Sequence, residues 1–204
     1  MQTINLLELI PRCHEAAKAK GFWDVRPNAG QLLMLVIGEL GEAQEADRKG
    51  RNAGALDIDR LVAMSNGTYH APQSSEDYPW FFKSTVKDTV GDELADAYIR
   101  LCDFAGGFNL DLALISIQKC DPNHWVIGTD NFGDALLTCV QAVMDMQKVR
   151  LRTGFANNCM EGPLADALTW IEVLARQHHV DLATHIDLKL RYNATRERLH
   201  GKAY

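Results

Sequence analysis

Two short stretches carry the residues best suited to chemistry: Glu39-Leu40-Gly41-Glu42 and Glu93-Leu94-Ala95-Asp96. Each holds two carboxylates three positions apart, a spacing that puts both on one face of a helix, a turn apart. At about 100° per residue, Leu32, Leu35, Val36, Leu40 and Ala43 form one apolar stripe with Glu39 inside it. Val86, Val90, Ala97, Leu101 and Phe104 form another around Glu93. Glu42 and Asp96 flank the two stripes. Helices packed through these stripes bring four carboxylates together in a half-buried place. Mutual repulsion and burial both raise carboxyl pKa values there, and a divalent cation relieves both. All-oxygen donors suit a hard ion, Mg²⁺ with Mn²⁺ as the other choice. The competing reading gives each acid a base: Arg100 stands four residues after Asp96, a helical ion-pair spacing, and Arg48 and Lys49 follow the first stretch. Spacing alone leaves both readings open.

The elements that must position these acids are helices. Apolar periodicity and stop residues predict a helix over about 3–20, capped by Thr3 or Asn5, interrupted or restarted at Pro11 and ended by Gly21. A second runs over about 29–49 with Gly50 beyond its end. The pattern breaks over 51–83, where a short helix near 56–64 is followed by loop at 65–67 and 71–75 and then by the aromatics Trp80, Phe81 and Phe82. Further helices are expected over 84–105, 109–119, 131–152, 163–179 and 181–200. No segment alternates over the length of a strand. The fold class is all-α.

The 204 residues suffice for one domain with a substantial core, and 47% hydrophobic with 24% charged residues is a globular balance. A net charge of −6 argues against a broad nucleic-acid surface, so phosphate handling requires a metal or a local basic cluster. Five cysteines, with no C-x-x-C pair, read as free thiols in a reducing cytosol. No run reaches the ~18 apolar residues of a membrane span, and the start of the chain lacks a signal-like core. A cytoplasmic protein with no membrane partner is expected.

An internal repeat is visible. Leu94-Ala95-Asp96-Ala97 recurs 70 positions on as Leu164-Ala165-Asp166-Ala167, and Asp111-Leu112-Ala113 recurs as Asp181-Leu182-Ala183. The stretch from Val36 to Gly50 can be laid on Val140 to Gly154, 104 positions on. The difference between the offsets is about the length of the 51–83 link. In this register Glu39 aligns with Val143, Glu42 with Met146 and Glu93 with Pro163, and only Asp96 has an acidic counterpart, Asp166. The chain divides into a first copy, 1–119, with the acids and the insertion 51–83, and a degenerate second copy, 120–204, together one compact domain. The second copy ends in a basic helix on which Lys189, Asn193, Arg196 and His200 share a face. That face suits an anion pocket at the mouth of a bundle, or a solvated terminal helix.

Glu-x-x-Glu followed by Glu-x-x-Asp resembles the MazG-like, all-α nucleotide pyrophosphohydrolase superfamily, which includes dimeric dUTP pyrophosphatases, dCTP pyrophosphatases and phosphoribosyl-ATP pyrophosphohydrolases. Lys18-Ala19-Lys20-Gly21-Phe22-Trp23-Asp24 looks like the family's lead-in, and the ending with Lys189, Tyr192, Asn193 and Arg196 is similar to its substrate-binding tail. The resemblance implies Mg²⁺ held by Glu39, Glu42, Glu93 and Asp96. It implies hydrolysis of a nucleoside triphosphate to the monophosphate and diphosphate, in nucleotide-pool housekeeping. It also implies substrate contacts from Trp23, Asp24, Lys189, Tyr192, Asn193 and Arg196. A ligand carboxylate, Glu39 or Glu42, or else Glu45 one turn further on, would take the proton from water. Phe22, Trp23 or the 80–82 aromatics are candidates to stack on a base, and equally to pack in the core; His14 is within reach of the same pocket or is structural.

Two departures stand out. Many members carry two consecutive acids at the start of the first motif, where this chain has Gly38. The acidic helices and the Lys-Asn-Arg tail, normally close together, are separated here by the degenerate copy. The pattern is that of a dimer fused into one chain, working as a monomer with an internal pseudo-dimer or as a homodimer. The alternative function is a catalytically weak nucleotide-binding regulator of the same fold. A di-iron bundle requires Glu-x-x-His pairs, which neither acidic helix has; a plain helical interaction protein would have no use for Glu39 or Glu93.

Overall fold

The computed structural model describes residues 4–68, 77–155 and 159–201. The expectations for Thr3 as a cap and for loop at 71–75 lie outside them. Nine α-helices and no strand are present among the described residues. They are α1 (Leu6–Ala19), α2 (Ala29–Arg48), α3 (Ala55–Ser65), α4 (Tyr78–Thr85), α5 (Val90–Gly107), α6 (Leu112–Gln118), α7 (Phe132–Thr153), α8 (Glu161–Gln177) and α9 (Leu182–Thr195). Short 3₁₀ turns occupy Pro122–His124 and Arg198–Gly201. No helix among the described residues is long and apolar enough to cross a membrane. Cys13, Cys102, Cys120 and Cys139 are free thiols, all but Cys120 buried.

The bundle is built round α5. Thirteen of its eighteen residues are buried, which marks a helix surrounded on nearly every side; α1, α2, α8 and α9 pack against it. Its partner α2 is amphipathic. Leu33, Val36, Leu40, Ala43 and Ala46 face the core, while Leu35 turns toward a cleft. Asn28 starts α2 by accepting from the backbone N–H groups of Gly30 and Gln31 at 2.9 and 3.2 Å, which satisfies donors that no helical carbonyl can reach.

Two helix boundaries differ from expectation. The helix expected from residue 84 is split: α4 is capped by Asp77, and α5 begins afresh after Asp88 adopts φ 61°. Thr89 then caps α5 by accepting from the Asp92 N–H at 3.4 Å. At the other end α9 stops at Thr195 rather than near 200. Arg196 is extended, and Leu199 and His200 take left-handed φ values of 51° and 52°, so the chain folds back on itself.

The described part of the insertion carries two helices. Helices α3 and α4 dock on α9 through a second apolar cluster of Leu61, Tyr78, Phe81, Phe82, Leu188 and Tyr192. Phe82 stacks on Tyr192 at 4.5 Å, and the Tyr78 hydroxyl donates to the Leu188 carbonyl at 2.7 Å.

Pairing among the remaining helices is reciprocal. α2 packs on α5 and α7 on α8; α9 crosses to α5 and α6 crosses to α8; α2 meets α7 and α5 meets α8. Burial on α2 and α7 coincides at a shift one residue smaller than the 104 expected from the sequence. The core residues Leu33, Val36, Leu40 and Ala43 fall on Leu136, Cys139, Val143 and Met146, all buried, at a shift of 103. The shift of 104 would set Leu33 and Leu40 on the exposed Leu137 and Met144. At a shift of 103 Glu39 falls on Ala142 and Glu42 on Asp145. At a shift of 70, Leu94, Ala97, Tyr98 and Leu101 of α5 fall on Leu164, Ala167, Leu168 and Ile171 of α8, every one buried.

Candidate metal centre and cleft

Where α2 and α5 pack, Glu39, Glu42 and Glu93 each bring a carboxylate oxygen within 4.8 Å of the others. The element geometry makes this so: Glu39 and Glu42 lie a turn apart on α2, and Glu93 faces them from the first turn of α5. Glu39 and Glu93 are buried and Glu42 is exposed. Neither Glu42 nor Glu93 has a hydrogen bond or ion pair among the described residues. Burial, followed by the neighbouring charge of Asp92, pushes the Glu93 carboxyl up to about 9. Burial and then Asp96 raise Glu39, against the pull of Arg100.

The fourth expected ligand behaves differently. Asp96 stands outside the trio, its Oδ2 2.8 Å from Lys189 Nζ. The same ammonium lies 2.8 Å from Asp92 Oδ2, so Lys189 is buried between two carboxylates of α5. Burial works against the Asp96 charge, but Lys189 and then Arg100 outweigh it and hold the carboxyl below its usual range. Burial takes Asp92 up to about 6 despite Lys189, and Asp92 Oδ1 is buried without a partner. Arg100, expected beside Asp96 on its own helix, reaches across to Glu39 instead, with Nε and NH2 at 2.7 and 2.6 Å from Oε1.

The centre opens on a cleft of about 740 Å³. Its lining includes the α1–α2 link, with Phe22 and Trp23, and the end of α9 with the turn after it, with Asn193, Arg196 and His200. Chain ends clasp there: Leu199 N–H donates to the Lys20 carbonyl at 2.8 Å, Arg198 pairs with Asp24, and Phe22 meets His200 edge-on at 5.1 Å. Asn193 Oδ1 and His200 Nε2 are buried without partners. Trp23 is fixed from behind. Its Nε1 donates to both oxygens of Asp103, at 2.9 and 3.2 Å, and His14 Nδ1 lies 2.8 Å from the same carboxylate.

Several expected roles need correction. Glu45 is not at the cleft: it pairs with Arg48 and Lys49, both at 2.9 Å, on the far stretch of α2. Tyr192 is not at the cleft either; it is part of the cluster under α4, as are Phe81 and Phe82. Lys189 lines the cleft, but its ammonium is held by Asp92 and Asp96. Asp24 is on the rim, engaged by Arg198. Trp23, Asn193 and Arg196 do line the cleft. Asp103 escaped the sequence reading, although Glu93, Asp96, Arg100 and Asp103 follow one another at spacings of three, four and three, the signature of a single helical face.

No family model, curated protein or solved structure matches the chain.

Proposed function

We propose that the chain is a divalent-cation-dependent nucleoside triphosphate pyrophosphohydrolase of the MazG-like kind. The observation that carries this reading is the trio of Glu39, Glu42 and Glu93, drawn from two helices to the edge of a cleft with aromatic and cationic walls. The donor set fits a hard cation. It offers carboxylate oxygens only, and the Glu93 carboxyl is buried with no base beside it, so a cation there removes a cost that the protein alone leaves standing. Glu39, Glu42 and Glu93 would hold Mg²⁺, with Mn²⁺ as a substitute. Bound there, the ion supplies Lewis acidity toward phosphate oxygens and lowers the pKa of water.

The remaining work falls to the protein. Trp23, braced by Asp103, offers an aromatic wall for a base. Asn193 Oδ1, an acceptor lacking a donor, suits a hydroxyl of the sugar. Arg196 brings a guanidinium for phosphate oxygens. Glu42, exposed and unpaired, is the carboxylate free to take the proton of an attacking water, and Glu45 has no part in that step. Cleavage falls between the α- and β-phosphates.

The reciprocal packing and the matching burial support an internal duplication. On this reading α2, α5 and α6 are one copy and α7, α8 and α9 the other, each copy's third helix crossing to the other's central helix. A second hollow of about 410 Å³, lined by Ala142, Asp145, Pro163, Asp166 and Trp170, occupies the place that the acidic centre has in the first copy. The chain is then a fused dimer that has kept one of two sites.

A second reading, nucleotide binding without turnover, is favoured by one position. Gly38 is exposed, and a Cβ there would meet nothing within 4 Å, so the acid that relatives carry at this point is missing where it would fit. A panel of ribo- and deoxynucleotides with Mg²⁺ separates the two. Release of diphosphate, abolished by Glu93→Gln, is the expected result. Release of orthophosphate contradicts the assignment. Binding without turnover, converted to turnover by Gly38→Glu, establishes the second reading.

A further inference from the structure

Five carboxylates, Glu39, Glu42, Asp92, Glu93 and Asp96, gather at the meeting of α2, α5 and α9, with two fixed cations among them. Arg100 takes Glu39. Lys189 takes Asp92 and Asp96, with its ammonium 2.8 Å from an oxygen of each. Lys189 is 4% exposed and Asp92 fully buried, while the Asp96 side chain keeps 18% of its surface exposed, so the triad runs from the interior to the cleft wall. The α5 acids thus fall into two sets. Glu93 has no base and stands within 4.8 Å of the α2 acids on one side and of Asp88 and Asp92 on the other; Asp92 and Asp96 share Lys189.

We propose that the centre binds one divalent cation, on Glu39, Glu42 and Glu93, and that the Lys189 ammonium occupies the place between Asp92 and Asp96 where a second cation would otherwise be held. The proposal rests on the metal-dependent reading above. A buried carboxylate pair demands a counter-charge, and two sources can supply it: a diffusible ion, lost at low concentration, or a tethered ammonium, always present. Here the tether is α9. Its Leu188 and Tyr192 are anchored in the cluster under α3 and α4, which fixes the backbone on either side of Lys189. The ammonium is therefore a positioning group for Asp96 and a permanent part of the charge balance. It is not a ligand for phosphate, because its reach is spent on two acids.

The measurement is the number of Mn²⁺ ions bound per chain, without nucleotide, by titration followed with electron paramagnetic resonance. The wild type is expected to bind one. Two ions in the wild type overturn the proposal while leaving the metal-dependent reading intact; none overturns that reading and this proposal with it. Lys189→Met, which keeps the length of the side chain and removes its charge, is expected to bind a second ion. Circular dichroism confirms its helicity. A folded Lys189→Met chain that still binds one ion overturns the claim that the ammonium fills a cation's place. If the variant does not fold, the wild-type number decides alone, and Lys189→Arg, which keeps the charge, is expected to stay at one.

Discussion

Arg100 of α5 grips Glu39 of α2 through two nitrogens that converge on one oxygen, Oε1, at 2.7 and 2.6 Å. The pair joins the two helices that carry the acidic centre and leaves Oε2 of Glu39 outside the grip. Removing the base strands a buried carboxylate, which typically costs about 3 kcal/mol or more. Arg100→Met should therefore lower the melting temperature in EDTA. A divalent cation at the centre would replace part of the lost charge, so the loss should shrink in millimolar Mg²⁺. Thermal unfolding with and without the ion checks both halves. An equal loss in the two conditions would separate Arg100 from any cation site.

Glu93 gives the metal-free protein a pH slope of definite sign. Its folded carboxyl titrates at about 9, against the ordinary glutamate value of about 4.3 in the unfolded chain. Between those values the folded state keeps a proton that the unfolded state has released, so stability is greatest below the lower value and falls as pH rises toward the upper one. At neutral pH the cost is on the order of 3 kcal/mol. Glu93→Gln should remove this slope in EDTA, raise the melting temperature near pH 8, and abolish stabilisation by Mg²⁺. Urea denaturation from pH 5 to pH 9 measures the slope in both proteins.

Trp23 owes its place to a missing side chain. A Cβ on Gly107, the last residue of α5, would come within 1.9 Å of the indole Cη2, far inside van der Waals contact. Gly107→Ala should push the indole off the cleft wall and break its bond to Asp103. Nucleotide affinity should fall by about tenfold or more, the scale of ~1.4 kcal/mol per decade, while Mn²⁺ affinity stays unchanged, because the acidic trio lies on other turns. Calorimetry with a nucleotide and, separately, with Mn²⁺ distinguishes a wall residue from a structural one, which would disturb both.

Much of the fold was legible because its signals are local. Gly50 and Gly154 stop α2 and α7 where expected, and 3.6-residue periodicity located the helices. The acidic trio was legible because its members are paired on short helical spacings. What was not legible depends on burial. Arg100 leaves its helical neighbour Asp96 to Lys189 and takes the more deeply buried Glu39, and no spacing rule contains that exchange. Lys189 shares a helical face with Asn193, which lines the cleft, yet its ammonium ends between acids of another helix. Tyr192 looked like a substrate contact until α3 and α4 covered it. Matching Gly50 to Gly154 by identity lays α2 on α7 at a shift of 104, whereas matching burial gives 103 and puts Leu40 on Val143.

That register makes the second hollow a test of ancestry. With shifts of 103 and 70, Asp145 and Asp166 stand where Glu42 and Asp96 stand, and Ala142 and Pro163 where Glu39 and Glu93 stand. All four line the hollow between α7 and α8. On the proposed duplication, two acids remain and two are gone. Pro163 is in the first turn of α8, where a glutamate is compatible with the helix and favoured by its dipole; Ala142 is mid-helix, where glutamate is a good helix former. The double variant Ala142→Glu, Pro163→Glu should recreate a carboxylate nest, and the Mn²⁺ count per chain should rise by one over the wild type. Burial limits the gain, since Ala142 is 7% exposed, and a longer side chain there must turn outward into the hollow as Glu39 does in its own copy. A folded double variant with an unchanged count would mean that the matching burial of α2 and α7 reflects common packing rules rather than a lost site.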